Sequence, residues 1–237
     1  MAVYVYSVLS KDHPARVEGL QGVGRSPGPL RTVSAGTLHA VVGDAPEDLR
    51  PRRRDVTAHH EVQERLMADG TVLPLRFGLT AEDDDAVRAA LEVRAAALRE
   101  TLHRLEGAVE YNLKAAWEED ALLHRILSES DEARALNDAI RGGAASSDTP
   151  LALGELVARE VEARQQALAA GIVEALRPYA REENLAAPGG QDFLNVSFLV
   201  ADDQEEMFLA TQTSVANQLR EECDVRLRGP LPAYSFV

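Results

Sequence analysis

The apolar positions of this chain change period several times, and each change predicts an element. Val3, Val5 and Ser7 fall on one face of an extended segment, with Tyr4, Tyr6 and Val8 on the other. Apolar character on both faces predicts a central strand over residues 3–9. A glycine-rich loop follows at 19–29, then a hairpin of residues 30–34 and 38–42 turned at Ala35 and Gly36. Residues 55–68 predict a helix whose inner face carries Val56, His59 or His60, Val62 and Leu66. Residues 72–77 predict a short strand, and Pro74 puts it at an edge or bulge. A long helix is expected over 81–105. Glu82, Asp83, Asp84 and Asp85 sit in its first turn, where the helix dipole favours carboxylates. Val87, Leu91, Ala95, Leu98, Leu102 and Leu105 give it a buried stripe.

Gly107 interrupts this pattern and marks the expected domain boundary. Val109, Tyr111, Leu113 and Ala115 then share one face of a strand, with Glu110, Asn112 and Lys114 on the other. A helix follows through Trp117, Leu122, Leu123, Ile126 and Leu127. The small-residue stretch 142–148 breaks the pattern. A long helix over 151–179, closed near Pro178, completes an antiparallel helical arm. A strand at 193–201, a helix at 203–222 and a strand at 224–227 lead into the tail. The expected fold class is α+β with two domains. Residues 1–106 form an N-terminal α+β domain. Residues 107–237 form a C-terminal ferredoxin-like domain with an extended helical arm and a docked C-terminal tail.

The tail itself, Gly229-Pro-Leu-Pro-Ala-Tyr-Ser-Phe-Val237, is apolar where most termini are polar and frayed. Two prolines stiffen it. It is expected to dock on the fold as an edge segment, with a partner-binding tail as the alternative reading.

Composition narrows the function classes. The chain has 237 residues, 45% hydrophobic and 27% charged, which suits a globular protein. Acidic residues outnumber basic ones 39 to 25, a formal net charge of −14. That balance argues against nucleic acid or anionic lipid as partner. The short basic run at 50–54 is expected to be solvated. Cys223 is the only cysteine, so no intrachain disulfide can form, as in a reducing cytoplasm. Its acidic neighbours Glu221, Glu222 and Asp224 disfavour a thiolate. No basic-then-apolar leader and no apolar run of about 20 residues is present, so neither a signal peptide nor a membrane span is expected.

Candidate chemistry is sparse. His59 and His60 are adjacent, so on a helix they diverge by about 100°. His60 and Glu64 share a face and could supply two metal ligands, with His103 or His124 needed to complete a site. The simpler expectation is one packed and one solvated histidine. Arg76, between Leu75 and Phe77, is expected to be half-buried and paired with Glu61 or Glu110. No Gly-x-Ser-x-Gly elbow and no phosphate loop occurs. The expectation is therefore no enzyme, no cofactor and no metal.

Four blocks occur in order: Val3-Tyr-Val-Tyr6 with Ala58-His59-His60-Glu61 after it, Thr71-Val-Leu-Pro-Leu-Arg-Phe-Gly78, residues 193–200, and the tail. In this arrangement the chain resembles the gas vesicle GvpL/GvpF family. It departs at Leu231, where members often carry an aromatic residue. The resemblance implies an accessory protein that supports assembly of the gas vesicle shell. It further implies contacts with the main shell protein GvpA and other accessory proteins, and a place in the cytoplasm and at the vesicle's gas-facing side. Leu75, Arg76, Phe77, Tyr234 and Phe236 are the candidate partner-binding residues. The alternatives are a ferredoxin-like module binding a small effector, and a metal-dependent hydrolase using His59 or His60.

Overall fold

The computed structural model describes residues 1–117 and 119–237, without the side chains of Glu119, Asp120, Ala121 and His124. Contacts group the chain into two compact units. One holds Met1–Tyr111, Leu199–Asp202 and Gly229–Val237; the other holds Asn112–Phe198 and Asp203–Arg228. The first unit therefore runs a little past Gly107. The tail, expected with the second half, belongs to the first unit.

In the first unit β1 (Val3–Ser10), β2 (Arg31–Ala35) and β3 (Leu38–Asp44) precede helix α1 (Arg53–Met67). The short strands β4 (Leu73–Pro74) and β5 (Thr80–Ala81) precede α2 (Asp84–Val93) and α3 (Ala95–Leu105). The sheet order is β2-β3-β1-β4, with β5 also on β1, and its pairings are antiparallel. Pro74 lies on the edge strand, where its missing N–H leaves no gap in the ladder. β1 is central and buried on both faces, as the pattern predicts. The face assignment of Ser7 and Val8 is corrected by a register shift between Val5 and Ser7. The extra residue reverses the alternation. Val3, Val5 and Val8 consequently share one core, and Tyr4, Tyr6 and Leu9 share the other.

Those two cores lie on opposite faces of one sheet. α1 closes the tyrosine face with Val62 and Leu66. Val56 of the expected inner face is 42% exposed, and Asp55 is buried in its stead because Gly24 N–H donates to its carboxylate. The valine face is closed by Val87, Leu91 and Leu102 of α2 and α3. The single helix expected over 81–105 is thus two. Arg94 leaves the helical region with φ −100° and ψ 8°, and the break lets α2 lie over β2 and β3 while α3 lies over β1 and β4. Of the four carboxylates expected in the first turn, Asp84 and Asp85 lie there, while Asp83 precedes the helix and caps it by accepting from Ala86 N–H.

β6 (Ala108–Trp117), whose first four residues belong to the first unit, is followed by α4 (Glu119–Glu129), α5 (Asp131–Arg141) and α6 (Thr149–Leu176). Ser130 caps α5, which the sequence reading had not separated from α4. Leu122, Ile126, Ala133 and Leu156 form the core of this helical arm. β7 (Glu182–Leu185), β8 (Asp192–Ala201), α7 (Glu205–Leu219) and β9 (Cys223–Leu231) complete the chain. The sheet order is β7-β8-β6-β9. β7 was not foreseen, and β9 runs past the expected 224–227. Phe208 of α7 packs edge-on against Phe198, ring centres 5.4 Å apart. No helix among the described residues is long and apolar enough to cross a membrane.

Candidate interaction site

The block after β4 is held in place by a buried polar relay. Leu75 N–H donates to Tyr6 O at 3.0 Å, extending the pairing of β4 by one residue. Leu75 O accepts from His59 Nε2 at 3.1 Å. A carbonyl can only accept, so Nε2 carries the proton and Nδ1 is left to accept from the Tyr4 hydroxyl at 2.9 Å. Tyr4 in turn accepts from Gly78 N–H at 3.0 Å. Each member of the relay is thereby satisfied. Burial favours the neutral imidazole and pushes the His59 pKa down to about 4, despite the Leu75 hydrogen bond. Burial also raises the phenol of Tyr4, and that of Tyr6 to about 12.

Around this relay Tyr4, Tyr6, His59 and Phe77 form an aromatic cluster with ring centres 4.7 to 5.8 Å apart. Tyr234 of the tail lies 6.3 Å from His59, with its phenol pKa raised by burial. The rest of the tail is pinned beside it. Ser235 donates both its backbone N–H, at 2.8 Å, and its hydroxyl, at 2.7 Å, to the buried Glu110 carboxylate. Phe236 is buried with Leu105, Leu199 and Ala233. Gly229 makes the approach possible: a Cβ there would stand 2.4 Å from the Tyr111 ring, and its φ is +155°.

The five candidate residues therefore differ in what they offer to a partner. Phe236 is buried, Tyr234 and Phe77 are half-buried in the aromatic cluster, and Leu75 is half-buried at the edge of the valine-face core. Arg76 is exposed, not half-buried, and makes no ion pair among the described residues. Of the two carboxylates expected to neutralise it, Glu61 makes no ion pair with it, and Glu110 accepts from Ser235 of the tail. His60 pairs with Glu64 at 3.2 Å while His59 is packed. No group of three or more His, Cys, Asp or Glu among the described residues is placed to hold a metal ion. The His124 side chain lies outside them. Cys223 is buried, and desolvation, aided by Glu222 and Asp224, raises its thiol to about 11.

Leu75 also lines a feature that the sequence reading missed. Between the valine face of the sheet and α2 and α3 lies a cleft of about 210 Å3. Val5, Val8 and Ala40 lie along it, with Leu75 and Leu79, and with Ala86, Ala90 and Arg94 of the helices. Leu79 is 47% exposed. The only signal in the sequence was the run of alanines in α2, which a helical stripe accommodates without complaint.

The sequence matches the model of the gas vesicle synthesis protein GvpL/GvpF family over residues 2–237. The chain belongs to that family. It is 42% identical to gas vesicle protein F of Streptomyces sp. (strain CB03234), with all of both chains covered. It is 28% identical to gas vesicle protein L of the same strain, covering 99% of this chain and 92% of that one. The crystal structure of GvpF from Anabaena sp. PCC7120 superposes with a TM-score of 0.86 over 99% of this chain and 97% of that one, at 24% identity. GvpF from Microcystis aeruginosa gives 0.80 over 99% and 98%, at 23% identity. The protein is thus a gas vesicle protein of mixed helix and sheet, and its family is not one of known enzymes.

Proposed function

We propose that this protein is an accessory factor that supports assembly of the gas vesicle shell by binding the main shell protein GvpA and other accessory proteins. It meets them in the cytoplasm and stays at the gas-facing side of the shell as a minor component. The observation that carries this reading is the open apolar cleft beside the Leu75-Arg76-Phe77 block, on a chain whose family membership spans its length. Apolar shell subunits need a partner that covers exposed surface before assembly, and a strongly acidic chain keeps such a complex dispersed. Leu75 and Arg76 meet the partner in this reading, while Phe77 and Tyr234 pack in the aromatic cluster beside them and Phe236 anchors the tail.

For the second unit we infer a ferredoxin-like sheet with an enlarged first helical connection. Its strand order read as β9-β6-β8-β7, with helices after β6 and β8, supports this. The helical arm then becomes a second surface for accessory partners.

The experiment is affinity capture from vesicle-forming cells, with deletion of the gene in parallel. The expected result is recovery of shell or accessory gas vesicle proteins and loss of vesicles on deletion. Normal vesicles in the deletion strain, with no such protein captured, would overturn the proposal.

A further inference from the structure

We infer that the cleft between the valine face of the first sheet and helices α2 and α3 is an anchor pocket. It takes one large aliphatic or aromatic side chain of a partner polypeptide that carries a carboxylate close by. The inference rests on the shell-assembly reading and names the chemistry its partner must present.

Size sets the first limit. At about 210 Å3 the cleft is smaller than the roughly 300 Å3 at which pockets for whole metabolites begin. It has room for one bulky side chain. Its walls set the second limit. Val5, Val8 and Ala40 are buried core residues, so the cleft reaches the hydrophobic core itself. Ala86 and Ala90 of α2 face it where larger residues would close the seam. Interiors are packed with few voids larger than a water molecule, and unfilled apolar space is destabilising. An anchor side chain restores the missing contacts.

Charge chooses the neighbour of that anchor. Arg94, at the junction of α2 and α3, lines the cleft and makes no ion pair or side-chain hydrogen bond among the described residues. In a chain with 39 acidic and 25 basic residues, Arg31 bonds Asp44 and Asp84, and Arg88 bonds Asp85, so Arg94 is the cleft-lining cation left for a partner. An unpaired guanidinium at the mouth of an apolar slot is complementary to an apolar group followed by a carboxylate. Anchoring by one buried side chain with a charged contact at the rim is the usual division of labour at such surfaces.

The test uses the full-length protein, isotopically labelled, with hexanoate as a minimal probe and hexylamine as its charge-reversed counterpart. Amide shifts at Leu79, Ala86, Ala90 and Arg94 are followed by NMR. Hexanoate is expected to shift these signals saturably, and hexylamine at least tenfold more weakly. Ala90→Leu fills the slot and is expected to abolish the response while raising the unfolding midpoint, which shows that the variant folds. Arg94→Glu is expected to weaken hexanoate at least tenfold. No shift with hexanoate, equal response to hexylamine, or an unchanged response in Ala90→Leu would overturn the pocket. The protein arm measures capture of the shell protein by the wild type and by Ala90→Leu. Capture reduced at least tenfold by Ala90→Leu supports the anchor. Undiminished capture overturns this occupant while leaving the assembly role standing. Failure of the wild type to capture it, with hexanoate still bound, overturns the assembly role and the occupant together but not the pocket.

Discussion

The two faces of the first sheet are built from one strand, β1, yet they solve packing in opposite ways. The tyrosine face is closed by aromatic rings, a histidine relay and the C-terminal tail. Its side chains interlock through hydrogen bonds as well as contact area. The valine face is covered by two short helices, and Ala86 and Ala90 of α2 leave a cleft of about 210 Å3 between them and the sheet. A single sheet thus has one side whose hydrogen bonds hold the Leu75-Arg76-Phe77 block and another whose cleft that block borders.

The largest test of this contrast is truncation within each core. Leu66→Ala, on the closed face, is expected to cost in the upper part of the range of about 2–5 kcal/mol, because the fully buried site cannot collapse. Leu91→Ala borders the open cleft and is expected to fall in the lower part of that range. Denaturant unfolding measures both, and equal losses would remove the distinction between the faces.

Acid should act on the closed face first. The folded-state pKa of His59, about 4, lies below its ordinary value of 6.5. The unfolded chain therefore takes up the proton first. This contribution is fully present above pH 6.5, declines as pH falls toward 4, and amounts to about 3 kcal/mol. His59→Leu should flatten the decline in a pH series of unfolding midpoints. An unchanged slope would mean that His59 titrates normally in the folded protein.

A smaller loss is expected for Glu110→Gln. The amide keeps the shape but gives up the charge in two hydrogen bonds to Ser235, worth about 1.5–3 kcal/mol at most. Faster carboxypeptidase trimming from Val237 is the readout. Val93→Ala, at a site 86% exposed, should change stability by no more than about 0.5 kcal/mol. A larger effect would reveal a contact that the isolated chain does not make.

Much of this architecture was legible in the chain. The central strand, the edge position of Pro74 and the carboxylates at the start of α2 followed from local pattern and chemistry. The docked tail followed from its apolar, proline-stiffened composition, although its destination did not. Other features escaped because nothing local marks them. The bulge in β1 adds no glycine or proline, and Arg94 breaks a helix that every propensity favours. Arg76 reads as a half-buried charge because its neighbours are apolar, yet it lies exposed just before the turn at Phe77 and Gly78, and Glu110 bonds the tail.

The sequence by itself determined which segments are extended or helical, that the chain is acidic with an apolar terminus, and the family to which the chain belongs. Those properties live in spacing and composition, which act over a few residues. Tertiary structure alone decided that β1 changes phase and that His59 is held neutral between Tyr4 and Leu75. It also decided that alanines of α2 and a lone arginine frame a cleft. Each depends on groups far apart in the chain meeting in space, where burial and partner geometry, not local preference, set the free energy.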